Sequence, residues 1–132
     1  MALTADRETP RRTGDILTLP AAANKKFYAG SLVARDAAGR ATPGATATDI
    51  LGMGRCREQV DNSSGAADAV TVDIEKGIFR FANSVTDPVV AADVGSNCYI
   101  VDDFTVSHTD TNQSVAGTVF AVDSLGVWVD LR

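Results

Sequence analysis

Few side chains in this sequence are of types that do chemistry, and their spacing limits what each can do. The one histidine, His108, lies in the polar run "SHTDTNQS". Nothing there pairs a nucleophile with an oriented base, so His108 reads as a solvated loop residue. Asp102-Asp103 offers adjacent carboxylates, but neighbouring strand residues point to opposite faces and no Asp-x-Asp-x-Asp-Gly loop surrounds them. Glu58, Glu75 and the remaining carboxylates form no constellation that marks an acid/base pair. Cys56 and Cys98 are far apart and in no metal-like spacing; they read as two buried thiols. Trp128, between Val127 and Val129, has the form of a sugar-stacking platform, but reads first as a barrel or interface residue. These residues point to no catalytic residue, no metal and no cofactor, and so to a protein that is not an enzyme.

The residues that stand out are the arginines of "TADRETPRRTGD", Thr4 to Asp15. This stretch has almost no apolar side chain larger than Ala, yet it holds Arg7, Arg11 and Arg12 in a chain of formal net charge −5. Residues 1–40 hold seven Lys/Arg and four Asp/Glu, a net of +3, and residues 41–132 hold five and thirteen, a net of −8. Such a body repels phosphates, which argues against a nucleic-acid partner. Thr9-Pro10 favours an extended backbone, and guanidinium groups are planar donors suited to carboxylates. The stretch reads as an arm, residues 1–14, that orders on a partner, with Arg7, Pro10, Arg11 and Arg12 as candidate contacts.

The elements that must carry the arm are strands. Asp outnumbers Glu fourteen to three, Val occurs fifteen times and Gly eleven. Asp and Gly favour turns and Val favours strands, while helix-forming Glu is scarce. No stretch approaches the roughly 18 apolar residues of a membrane span. The start "MALTADRETP" lacks the apolar core of a secretion signal.

Asp15 to Pro20 alternates and ends at Pro, as an edge strand does. "AAANKK" reads as a loop, Leu32 to Ala34 as a strand and Asp36 to Gly39 as a turn. "ATPGATATD" reads as a loop. "ILGMGRCREQV" reads as a strand loosened by Gly52 and Gly54, and "DNSSGAAD" from Asp61 as a loop. In Ala69 to Asn83, Val70, Val72 and Ile74 share one parity and Phe79 and Phe81 the other. A bulge or tight turn at Lys76-Gly77 would restore a single apolar face. A short helix is expected over "DPVVAADVG", capped by Asp87, started by Pro88 and closed by Gly95. "NCYIVDDFTV" reads as a strand with a candidate break at Asp102-Asp103. A closing hairpin is expected from Thr118 to Val122 and Val127 to Leu131. The sum is one all-β domain, residues 15–132, a compact sandwich or barrel of about eight short strands.

"FYAGSLVARDAAG", "GIFRFANS", "CYIVDDFTV" and "AGTVFAVDSLGVWVDL", in that order, resemble a family of small bacteriophage and prophage head-decoration proteins. The opening "MALTADRETPRRTGD" is similar to the family's usual start. The resemblance implies a non-enzymatic capsid cement protein, assembled in the host bacterial cytoplasm and placed on the outer surface of the expanded head. It implies the major capsid protein as partner and, by analogy with lambda-type decoration proteins, a homotrimer. A different reading of the same residues is a virion-surface β module that binds a host glycan or receptor, in which Trp128 would matter.

Overall fold

The computed structural model describes residues 2–12 and 14–132. It is all-β, with twelve strands rather than about eight: β1 (Ile16–Pro20), β2 (Lys25–Phe27), β3 (Leu32–Arg35), β4 (Ala41–Pro43), β5 (Leu51–Cys56), β6 (Val60–Asn62), β7 (Thr71–Glu75), β8 (Ile78–Asn83), β9 (Asn97–Ile100), β10 (Thr105–Ser107), β11 (Val115–Asp123) and β12 (Gly126–Asp130). The strands form three sheets. One has five antiparallel strands in the order β1-β7-β5-β3-β4, with β1 at an edge as its Pro20 implies. The second is a closed barrel in the order β10-β8-β12-β11-β9, closed by a parallel β8–β10 pairing. The third is the ribbon β2–β6.

Three of the unexpected strands, β2, β4 and β6, have only three residues each. They fall in or beside stretches expected to be loops, because three residues are too short to show a period. β4 forms within "ATPGATATD" and carries Pro43 on the open edge of the sheet, where a missing N–H costs no ladder bond. The Asn62 side chain donates from its amide nitrogen to the Ala22 and Ala66 carbonyls (2.9 and 3.1 Å), holding the chain after β6 against the chain before β2.

Two apolar clusters follow from this layering. Leu32, Ala34, Phe81, Ile100, Val106, Val119, Val127 and Val129 pack at the barrel, while Phe27, Val33, Cys56, Val72 and Ile74 pack between sheet and ribbon. β3 serves both: successive side chains point to opposite faces, and both faces are covered. This explains the parity change in residues 69–83. The expected single face does not exist. Val72 and Ile74 fill the ribbon-side core and Phe81 fills the barrel core, and Lys76-Gly77 is where the chain leaves one sheet for the other.

Gly52 and Gly54 do not loosen β5. A Cβ at Gly52 would overlap the Ala116 carbonyl of β11, and one at Gly54 would overlap the Glu75 carbonyl of β7. They are the places where backbone packs on backbone. The register between β3 and β5 slips at Met53, so that Val33 faces Gly54 and Ala34 faces Gly52.

The expected helix over 87–95 reduces to one 3-10 turn, Ala91–Asp93. Asp87 does not cap it; its carboxylate accepts from the Thr109 backbone N–H (2.8 Å) and hydroxyl (3.1 Å). The Asn83 side chain meanwhile accepts from the Val89 N–H (2.8 Å) and donates to the Val89 carbonyl (2.9 Å), seating buried Val89 in the barrel core. Bonds to Thr109 and Asn83 thus take the groups that a helix would have used. Gly95 does close the segment, in the left-handed region at φ 91°.

Candidate functional site

Arg7, Pro10, Arg11 and Arg12 are all exposed, and residues 2–12 contain no strand or helix. Within the described arm the backbone bond is Thr9 N–H to the Arg7 carbonyl (3.0 Å). Among the described residues, none of these three arginines forms an ion pair with the body. Met1 and Thr13, which belong to the expected arm, lie outside the described residues.

The root of the arm is held firmly. Ile16 pairs with Glu75 across β1 and β7, and the Lys76 N–H donates to the Asp15 carbonyl (2.8 Å). The Lys76 ammonium donates in turn to the carbonyl of Met53, the residue at the register slip in β5. Burial pushes this ammonium below its usual pKa. The arm therefore leaves an edge strand pinned at the junction between the two sheets.

Two exposed apolar places lie elsewhere on the surface. On the outside of the barrel, Ile78, Phe120, Ala121 and Trp128 line a shallow pocket of about 360 Å³. Phe120 sits at a register slip between Val119 and Ala121, so it has no partner on β12, and it is 55% exposed. Trp128 is on this outer face, as a barrel or interface residue would be. Its Nε1–H donates to Asp123 (2.9 Å) and the Arg80 guanidinium lies over its ring at 5.6 Å. That bond and the turn amides of Leu125 and Gly126 hold the Asp123 carboxyl below its usual range.

The second place is a pocket of about 390 Å³ lined by Tyr28, Ala29, Gly30, Ser31, Asp103 and Phe104. Two turns build it: Ser31 N–H donates to the Tyr28 carbonyl (3.1 Å), and Asp102 accepts from the N–H groups of Phe104 (2.8 Å) and Thr105 (2.7 Å). The Leu32 N–H donates to the Asp103 carbonyl (2.7 Å) and joins the two. Asp102 is thus a turn cap rather than a ligand.

His108 is an exposed loop residue, but it is not solvated alone. Its Nδ1 lies 2.8 Å from Asp93 Oδ2, and the same carboxylate accepts from the Val90 N–H (2.9 Å). The Val90 amide first, then His108, hold the Asp93 carboxyl below its usual range. Cys56 and Cys98 are both free and buried. Burial pushes the Cys98 thiol up to about 12, far from a reactive thiolate. Among the described residues, no three His, Cys, Asp or Glu side chains are grouped to hold a metal ion.

Sequence reasoning singled out Trp128 of the first apolar place, as a barrel or interface residue, but missed Phe120 beside it and the whole of the second place. The available signal was an aromatic residue beside turn-forming ones, as in Tyr28-Ala29-Gly30 and Asp102-Asp103-Phe104. No protein-family profile, curated protein or solved structure matches the chain.

Proposed function

We propose that the protein is a bacteriophage head-decoration protein that binds the outer surface of the expanded capsid as a homotrimer and stabilises it. The observation that carries this reading is the arm: residues 2–12 lie exposed, with three arginines, ahead of a strand paired into the β body. The ordered resemblance of four further segments to decoration proteins supports it. Exposed Phe120, Tyr28 and Phe104, each 55% exposed, add apolar surface of the kind that docking buries. A ligand of the expanded lattice alone stabilises that lattice by mass action. An extended arm can cross a subunit boundary, add to an exposed strand edge, and pair its guanidinium groups with acidic capsid groups.

The glycan-binding alternative has weaker support. The Nε1–H of Trp128 and a position over its ring are already taken by Asp123 and Arg80. The test adds full-length and arm-deleted (2–14) protein to expanded, undecorated capsids and measures occupancy by electron cryomicroscopy. Full-length protein should fill three-fold or quasi-three-fold positions, and the deletion should bind far more weakly. Arg11→Glu with Arg12→Glu should also lower occupancy, most at low salt. Equal occupancy of intact and deleted protein removes the arm from the mechanism, and no binding by either removes the function.

A further inference from the structure

The pocket between Tyr28 and Phe104 offers one kind of chemistry. Three of its backbone donors are already used: the Gly30 N–H donates to the Cys56 carbonyl (2.8 Å), Ser31 N–H to the Tyr28 carbonyl and Phe104 N–H to Asp102. Two of its side chains lack partners. Among the described residues the Asp103 carboxylate has no hydrogen-bond or ion-pair partner. Ser31 is only 6% exposed and its Oγ has no hydrogen-bond partner. Two aromatic rings, each more than half exposed, complete the walls. A cation that donates hydrogen bonds fits the Asp103 carboxylate and the exposed Phe104 ring together.

We propose that this pocket receives an arginine side chain presented by the protein on which this chain docks. Guanidinium rather than ammonium is the better match, because a planar cation stacks on the Phe104 ring while its N–H groups reach Asp103. Lys26 already lies over the Tyr28 ring, 5.2 Å from its centroid, so the incoming group relies on the other walls and meets some repulsion from Lys26. The inference rests on the reading of this chain as a protein that docks on another protein. It is tested without any capsid, so its failure is distinguishable from failure of the decoration function.

The experiment titrates isotope-labelled full-length protein with N-acetyl-arginine methylamide and follows backbone amide shifts. N-acetyl-citrulline methylamide, a neutral near-isostere, and methyl glucoside serve as parallel probes. Saturable shifts at Tyr28, Gly30, Ser31 and Phe104 with the arginine probe alone are expected, with a Kd of about 1 mM. Asp103→Asn should weaken binding about tenfold, the loss of one charge-assisted bond. Its amide spectrum should otherwise match that of the unaltered protein, since the Asp103 contact to Leu32 is through backbone. Lys26→Ala should tighten binding. An equal response to citrulline, a response to the glucoside instead, shifts confined to another surface, or no shift overturns the proposal.

Discussion

The β body and the arm of this protein obey different physics. In the body, most strands are held by neighbours distant in sequence, and two apolar cores share β3 as a common wall. In the arm, residues 2–12 are exposed and carry three arginines but almost no apolar surface. A change in the body acts on folding and reaches function through it. On the proposed function, a change in the arm acts on binding and leaves folding alone. That reading separates what holds the protein together from what holds it to a partner, and the separation can be measured.

The largest effect is expected at Gly52. A valine there places a Cβ inside the Ala116 carbonyl and forces β5 away from the barrel. The cost should exceed about 4 kcal/mol, a large share of a stability of about 5–15 kcal/mol. Denaturant unfolding checks it; a loss below 1 kcal/mol, on the order of a surface change, would mean the backbone contact is slack. Phe81→Ala follows. Phe81 is fully buried in the barrel core, so truncation should cost about 3–5 kcal/mol. A cost no larger than that of Phe104→Ala would mean the barrel core does not support the fold.

Acid should act on the body next. The Arg132 guanidinium and backbone N–H hold the Asp130 carboxyl at about 2, while Arg40 lowers Asp68 and the Val90 amide lowers Asp93. Their folded-state pKa values lie below their unfolded ones. Their contribution is therefore complete above the ordinary carboxylate range near 4 and is lost as pH falls from about 4 towards 2. Melting temperature should fall across that window in full-length and arm-deleted protein alike, because these carboxylates all lie in the body. A flat profile, or one that changes on deletion, contradicts the separation. The smallest effect sharpens it most: removing residues 2–14 should shift the melting temperature by no more than about 1 °C, since almost no apolar area leaves a core. A larger drop would show that the arm belongs to the fold.

Periodicity and residue type were sufficient for several elements. The edge strand ending at Pro20, the turn closed by Gly39, the break at Asp102-Asp103 and the hairpin of β11 and β12 are each set by neighbouring residues. For the same reason the absence of apolar residues sufficed to mark an exposed arm. Tertiary structure alone decided the rest. The parity change at Lys76-Gly77 is visible in the sequence, but whether it makes a bulge or a crossing between sheets depends on two cores built from distant strands. The segment after Asp87 has helix signals, yet Thr109 and Asn83 claim its polar groups. Tyr28 and Phe104 share a pocket because the Leu32 N–H finds the Asp103 carbonyl, a bond between turns far apart in the chain. Local sequence sets what a segment can do by itself, and closure of the barrel against the sheet selects which partner it finds.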